Sequence, residues 1–232
     1  MTESMIISLS NTKGGVGKST LAVHLAIWLH DQGFRTALLD ADKQRSSSQW
    51  VAEAEPSISV RVASTPEECL SEVTGLAKSH DFVVADSSGG LDELSRSLAL
   101  LADLVLLPLC PSILDLRSLQ RAVTILHYAQ GINRGRPDAT LILNKFRSRD
   151  RISRELRTAA PGLAVTVATT VIRDLQAYRD AAGQGTVVTR MGKRAKEAKE
   201  EIDQLFASLF PQVVSASDHK EKILTTKEVV HG

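Results

Sequence analysis

The chain has 232 residues, 43% hydrophobic and 24% charged, and its 28 Lys and Arg nearly balance its 27 Asp and Glu. This composition suits one globular domain with a full core and excludes global disorder. Cys69 and Cys110 stand apart without a CxxC motif, which argues against a zinc or iron–sulfur centre and favours a reducing, cytoplasmic compartment. No stable membrane insertion is expected, because aspartates and prolines interrupt the most apolar segment, residues 98–116.

Short apolar runs alternate with longer segments of helical periodicity along the chain. The apolar runs predict strands over residues 5–10, 36–40, 58–63, 82–86, 104–109, 140–144 and 163–168. Helices are predicted over residues 19–32, 66–80, 91–102, 113–130, 151–159 and 192–210. This alternation predicts an α/β fold, with a doubly wound, mostly parallel sheet and helices on both faces. We expect one domain over residues 1–210 and a polar, flexible tail over 211–232.

Between the first predicted strand and the first helix lies the run Lys13-Gly14-Gly15-Val16-Gly17-Lys18-Ser19-Thr20. Glycines let successive N–H groups turn toward phosphate oxygens, and the start of the following helix adds positive charge. In such a loop Lys18 binds the β- and γ-phosphates, and the Ser19 hydroxyl ligates Mg²⁺. The run therefore predicts a nucleotide-binding site, and a glycine-rich turn that binds nothing is the less favoured interpretation.

The loop departs from the ordinary phosphate-loop pattern at its start. Thr12 stands where the first glycine belongs, and Lys13 adds a second lysine to the loop. One lysine suffices to hold a phosphate, so Lys13 needs a separate explanation. It is either a solvated surface charge or a cation delivered to a nucleotide that a facing subunit holds.

On these residues the chain resembles the ParA/MinD family of deviant Walker ATPases, whose hallmark is KGGxGK[ST], and especially its small ParF-type members. The resemblance covers about residues 5–210. It implies ATP and Mg²⁺ as cofactors and a homodimer in which Lys13 crosses to the partner's phosphates. Lys13 and Lys18 are accordingly expected to be catalytic. Only twelve residues precede Lys13, so an operator-binding helix-turn-helix before the loop is not expected.

Two predicted strands end in acidic residues. The run DADKQ over residues 40–44 resembles the D-x-D-P-Q segment of the family, with Lys43 in place of the proline. The resemblance places Asp40 beside the Mg²⁺ water shell and gives Asp42 the role of orienting the attacking water. Asp86 ends the strand 82–86 and is expected to hold Mg²⁺ through water. An exposed carboxylate pair at a strand end is the plainer alternative for Asp40 and Asp42.

Two further positions resemble family segments. Asp115 lies in a run similar to PSxxD, which is close to the nucleotide and the dimer face in the family, although Pro111 equally marks an ordinary helix start. Asn144 ends the sixth predicted strand, where relatives place a polar contact to adenine. A turn asparagine is the alternative explanation of Asn144.

Positive charge is concentrated in residues 145–199, which hold thirteen Lys and Arg against five Asp and Glu, a net charge of +8. The remainder of the chain carries −7. This asymmetry predicts a face that binds the phosphates of DNA without sequence preference, and ordinary solvated helix faces are the alternative. The candidate DNA-binding residues are Arg147, Arg149, Arg151, Arg154, Lys193 and Arg194.

Together these features predict a cytoplasmic, nucleoid-associated ATPase that positions a plasmid, a chromosome or a protein complex. A cargo-bound, ParB-like partner protein is expected to stimulate its hydrolysis of ATP. One alternative is a MinD-like membrane-associated ATPase, which we disfavour because residues 217–232 contain few bulky apolar side chains and no aromatic one. The other alternative is a metabolic ATP-dependent ligase on the same fold.

Overall fold

The computed structural model describes residues 3–89, 93–147, 149–159 and 165–216, without the side chains of 113–118, 157 and 159. Its strands are β1 (Met5–Leu9), β2 (Thr36–Ala41), β3 (Ser59–Val62), β4 (Phe82–Ser87), β5 (Leu104–Leu109), β6 (Asp138–Leu143) and β7 (Thr166–Val167). Its helices are α1 (Lys18–Asp31), α2 (Ser46–Ala54), α3 (Pro66–Ala77), α4 (Glu93–Leu101), α5 (Ile113–Ile132), α6 (Arg151–Ala159), α7 (Gln176–Gly183) and α8 (Lys196–Leu209). Two short 3₁₀ helices, Val188–Arg190 and Gly192–Ala195, precede α8.

The seven strands form one sheet in the order β3-β2-β4-β1-β5-β6-β7, and every pair is parallel. Since helices carry the chain back between parallel strands, the carboxyl ends of all strands meet at one edge of the sheet. Alternate side chains face opposite sides: Ile7 and Leu9 contact one helical layer, and Ile6 contacts the other. Both faces are covered, as the continuous apolar runs require. The predicted doubly wound α/β fold is confirmed.

The helices form two layers with separate cores. The first layer contains α1, α2, α7 and α8, which share one apolar cluster with Ile7 and Leu9 of the sheet. The second layer contains α3 to α6, which pack around Val73, Leu98 and Leu126. Among the described residues, no helix is both long and apolar enough to cross a bilayer.

The observed elements differ from the predicted ones in three places. Helix α2 was not expected, because it opens with three serines and buries only one large apolar side chain, Val51. Helix α7 is eight residues long and fully buries only Ala181, so it also lacks a clear apolar pattern. Strand β7 covers two residues of the predicted run 163–168, of which 163 and 164 lie outside the described residues.

The chain stays packed beyond the expected domain end at residue 210. Residues 211–216 are helical, and Val213 is fully buried in the cluster of the first layer. The remainder of the predicted tail, residues 217–232, lies outside the described residues. The flexibility predicted for that remainder stays a prediction.

Candidate nucleotide-binding site

The glycine-rich loop connects β1 to α1 at the carboxyl edge of the sheet. Gly15 and Gly17 have φ angles of 77° and 98°, in the left-handed region that favours glycine. A Cβ atom on Gly17 would lie 2.3 Å from Nδ2 of Asn144, so a larger residue would displace that side chain. Gly17 is also the N-cap of α1, so the positive end of this helix lies at the loop. The local geometry is that of an anion-binding loop.

The two lysines of the loop occupy different places. Lys18 is buried, and its Nζ donates to the carbonyl oxygen of Lys13 at 3.2 Å. The N–H of Lys13 donates to Oδ1 of buried Asn11 at 3.0 Å, and Nδ2 of Asn11 donates to the carbonyl of Pro108 at 2.7 Å. These contacts fix the backbone of Lys13 and direct the Lys18 ammonium into the loop.

Asn144 and Lys145 hold the loop from the end of β6. Nδ2 of Asn144 donates to the carbonyl oxygen of Val16 at 2.7 Å. Nζ of Lys145 donates to the carbonyl oxygen of Gly15, also at 2.7 Å. Lys145 has a positive φ of 56°. The predicted site residue Asn144 therefore contacts the phosphate-binding loop, and its contact to adenine stays a prediction.

A cleft of about 640 Å³ opens in front of the loop. Besides the loop, its walls include Asp42, Trp50 and Lys145. A smaller cavity of about 180 Å³ adjoins it, contains Asn144 and Tyr178 in its lining, and shares Lys145 with the cleft. A nucleotide with its phosphates in the loop has room for its base in this second cavity.

Asp86 is fully buried beside Asp40, its direct neighbour in the pairing of β2 with β4. Neither carboxylate oxygen of Asp86 has a hydrogen-bond partner among the described residues, and the buried hydroxyl of Ser47 has none there either. Burial raises the pKa of Asp86 to about 6; the hydroxyls of Ser19 and Ser47 act against this shift, and the charge of Asp40 adds to it. Buried oxygen atoms without protein partners beside the loop fit a site for Mg²⁺ with its water ligands.

Asp40 and Asp42 differ in their surroundings. Asp40 accepts hydrogen bonds from two backbone N–H groups, that of Asp42 at 3.0 Å and that of Ser48 in α2 at 2.8 Å. Asp42 is partly exposed, lines the cleft and accepts from the N–H of Gln44 at 2.9 Å. Asp40 therefore anchors the segment after β2 and the first turn of α2, while Asp42 faces the space where a nucleotide would lie.

A buried histidine connects the loop helix to its neighbours. Nδ1 of His24 donates to the carbonyl of Thr20 at 2.7 Å, and Nε2 accepts from the N–H of Val188 at 3.2 Å. The ring makes edge contacts with Trp50 and Tyr178 at centroid distances of 5.6 and 5.7 Å. Burial lowers the pKa of His24 to about 4, so the ring is neutral at physiological pH. His24 is therefore a neutral core residue that joins α1 to the segment around Val188.

The predicted DNA-binding residues are divided between the two layers. Arg151 and Arg154 lie on α6 in the second layer, whereas Lys193 and Arg194 lie just before α8 in the first. Arg147 and Arg151 form ion pairs with acidic residues, at 2.5 Å to Asp174 and 2.6 Å to Glu155. All six residues of the set are exposed: Arg147, Arg149, Arg151, Arg154, Lys193 and Arg194. Their contact with DNA stays a prediction.

Four site residues were missed by the sequence analysis: Asn11, Ser47, Trp50 and Lys145. Trp50 lines the cleft, and its Nε1 donates to the carbonyl of Thr186 at 2.9 Å. Lys145 was counted only as a positive charge, although its position next to Asn144 could have indicated that it belongs to the site. Asp115 lies in α5, but its side chain is outside the described part of the chain.

Residues 7–227 match the family described as the CobQ/CobB/MinD/ParA nucleotide binding domain. The maintenance of carboxysome distribution protein A of Halothiobacillus neapolitanus is 31% identical over 210 residues, covering 88% of this chain and 96% of the relative. The fold is similar to that of a Cyanothece McdA–ATP complex (TM-score 0.75, 17% identity, 90% of this chain and 97% of that one) and of Aquifex aeolicus MinD (0.72, 18%, 90% and 97%). The predicted family and its nucleotide-binding domain are thereby confirmed. This chain belongs to the ParA/MinD branch of the CobQ/CobB/MinD/ParA nucleotide-binding domain family.

Proposed function

We propose that this chain is an ATPase whose ATP-dependent dimer positions a cargo along DNA and whose hydrolysis is stimulated by a cargo-bound partner protein. The observation that carries the proposal is the arrangement of the two loop lysines. Lys18 turns into its own loop, whereas Lys13 is not among the residues that line the cleft of its own subunit. A second subunit that faces the cleft would bring its Lys13 ammonium to the phosphates, as an arginine finger does in trans.

Within one subunit, different residues have different roles in the reaction. The N–H groups of the loop and the Lys18 ammonium bind the phosphates, and Ser19 and Asp86 hold the metal ion. When bound, Mg²⁺ neutralises charge on the β- and γ-phosphates. Asp42 uses one carboxylate oxygen for the N–H of Gln44, and its other oxygen is available to orient the attacking water.

Cargo positioning and DNA binding are supported by different observations. The relative from Halothiobacillus is named for the distribution of carboxysomes, which supports a positioning role for this chain. The exposed cations of α6 and of the segment before α8 support binding to phosphates of nucleoid DNA, with salt-dependent affinity. These two supports favour a protein associated with the nucleoid in the cytoplasm.

Dimerisation is tested by light scattering on the purified protein with a non-hydrolysable ATP analogue and Mg²⁺. We expect the molar mass to double with the analogue and to return to the monomer value with ADP. Lys18→Ala, which loses the ammonium that binds the phosphates, is expected to remain monomeric under both conditions. A wild-type protein that stays monomeric when saturated with the analogue contradicts the proposal.

DNA binding is tested by gel shift with ATP and a duplex of arbitrary sequence. Reversing the charge of Lys193 and Arg194, or of Arg149 and Arg154, identifies which layer contacts DNA, with exposed Lys78→Glu as the control. Charge reversal of the pair that contacts phosphates is expected to lower the slope of log affinity against log salt by about one unit for each lost contact. If neither pair changes DNA affinity and the protein instead floats with liposomes, the membrane alternative is favoured.

A further inference from the structure

A groove of about 700 Å³ lies between α4 and α5, in the second helical layer. Both helices return from strands of a parallel sheet, so they run in the same direction. The lining residues recur at spacings of three and four on each helix: Glu93, Arg96, Ser97 and Leu100 on α4, and Arg121, Thr124, Ile125 and Tyr128 on α5. Each wall is therefore one helix face about 10 Å long, two turns of α-helix.

Exposed apolar side chains lie at the groove and elsewhere in the same helical layer. Large apolar side chains with high exposure among the described residues are Leu70, Tyr128 and Ile132, at 54%, 62% and 54%, and all three lie in the second layer. Tyr128 lines the groove, and Ile132 follows one turn later on the same face of α5. A patch of this kind, with polar residues at its border, is typical of a protein-binding surface.

The charges of the groove are uneven along its length. The first turns of α4 and α5 lie at the carboxyl edge of the sheet, and Arg96 and Arg121 belong to the half of the groove nearer that edge. Within the described residues neither arginine forms an ion pair, whereas Arg147, Arg173 and Arg190 each contact carboxylates. The lining contains one acidic residue, Glu93 at the start of α4, which lies at the same end, so the formal net charge of this end is +1. An occupant with negative charge at this end complements the groove.

Helix α4 also contacts the nucleotide site. The hydroxyl of Ser95 in α4 lies 3.5 Å from both the hydroxyl and the carbonyl oxygen of Ser88. The next residue, Gly89, packs so closely that a Cβ on it would lie 3.1 Å from the N atom of Gly14 and 3.4 Å from Nζ of Lys18. A molecule bound against α4 is therefore two contacts away from the phosphate-binding loop.

The geometry points to the α4–α5 groove as the docking site for an amphipathic helix of a partner protein, with acidic residues beside its apolar stripe. Its apolar side chains pack on Leu100, Ile125 and Tyr128, and its acidic residues pair with Arg96 and Arg121. This inference rests on the proposed function, because the occupant is the protein that stimulates hydrolysis. A helix bound in the groove contacts α4, and α4 in turn contacts residues 88–89, the segment that touches Lys18.

The test uses two synthetic peptides with the same helical apolar stripe, flanked by Glu in one and by Lys in the other. Each is labelled and titrated with the full chain by fluorescence anisotropy, in the presence of ADP. We expect the Glu peptide to bind about tenfold more tightly than the Lys peptide. The double variant Arg96→Glu/Arg121→Glu should reverse this preference, and Tyr128→Ala should weaken both peptides. Lys78→Glu, an exposed cation of the same layer outside the groove, should change neither.

Equal binding of the two peptides, no binding of either, or unchanged binding by the double variant overturns the inference. So does a concentration-dependent dimer that Tyr128→Ala abolishes, since a second copy of the chain would then occupy the groove. ATP turnover without peptide is measured for every variant and is expected to match the wild type. Absence of turnover in the wild type would count against the proposed ATPase, while the peptide titrations would still decide the groove.

Discussion

Lys145 reaches the phosphate-binding loop from 130 residues away in sequence, and Asn11 reaches Pro108 across 97 residues. Both contacts hold the loop in shape, and neither has a local sequence pattern, because the partner is a backbone carbonyl brought close only by the pairing of strands. The loop itself could be predicted because its glycines and lysines are consecutive. Residue patterns thus identified the loop that is predicted to bind phosphate but missed the side chains that support it.

The contact of Lys145 with Gly15 leads to a first prediction. Lys145→Met keeps the length of the side chain and removes the donor to the loop carbonyl, so the loop loses one support. We expect the affinity for ADP to fall about tenfold, which corresponds to about 1.4 kcal/mol. Isothermal titration calorimetry measures this change. Lys145→Arg keeps a donor and should retain most of the affinity; equal affinities for all three proteins would show that the contact does not support binding.

The burial of Asp86 beside Asp40 leads to a second prediction. Asp86→Asn removes a buried charge that has no hydrogen-bond partner in the described chain, so the metal-free protein should gain about 1–3 kcal/mol in free energy of unfolding at neutral pH. The same variant should lose the rise in melting temperature that Mg²⁺ adds to ADP. Asp40→Asn is the matched comparison and should destabilise the protein, because both oxygens of Asp40 accept backbone hydrogen bonds. A less stable Asp86→Asn protein would contradict this account.

At the scale of elements, all seven strands could be predicted because a sheet covered on both faces requires uninterrupted apolar runs. Helices α2 and α7 could not, since each is short and buries little apolar surface. Helix α2 is fixed at its start by the bond from the N–H of Ser48 to Asp40, and along its length by the bond from Trp50 to Thr186. Its position depends on tertiary contacts that local propensity does not record.

His24 connects α1 with the 3₁₀ helix after α7, and its titration provides a third prediction. Its pKa is about 4 in the folded chain against an ordinary 6.5, so folding favours the neutral ring. The contribution of His24 to the free energy of unfolding is at its full value above pH 6.5. It declines as the pH falls toward 4, by about 3 kcal/mol in total. Denaturant unfolding at pH 7.5, 5.5 and 4 should show a smaller decline for His24→Gln than for the wild type. Parallel declines would mean that other groups govern the acid range.

At the scale of the whole molecule, the linear cluster of positive charge is distributed over elements of both helical layers. Residues 145–199 pass from α6 in the second layer to α8 in the first, so this stretch supplies cations to helices on both faces of the sheet. Several of them pair with nearby carboxylates, as Arg173 does with Glu197 and Glu201. Composition therefore indicated the charge correctly but could not indicate its distribution.

The proposed exchange of Lys13 between subunits gives a fourth prediction. Lys13→Ala should bind ATP and lose turnover, and Asp42→Ala should lose turnover for a different reason. When the two variants are mixed in equal amounts and dimerise at random, half of the dimers contain one subunit of each variant. Each such mixed dimer has one complete site, so roughly a quarter of wild-type turnover should return. The steady-state phosphate release of the mixture measures this. No recovery would place Lys13 in the site of its own subunit.

The two tryptophans of the chain have unlike surroundings: Trp28 packs in the core against Phe206, whereas Trp50 lines the cleft. Replacing Trp28 with Phe leaves a single indole emitter at the place where a nucleotide enters. Its quenching or spectral shift then follows occupancy in real time by stopped-flow, with no added dye. Arrival and departure rates of unlabelled ligand thus become directly measurable.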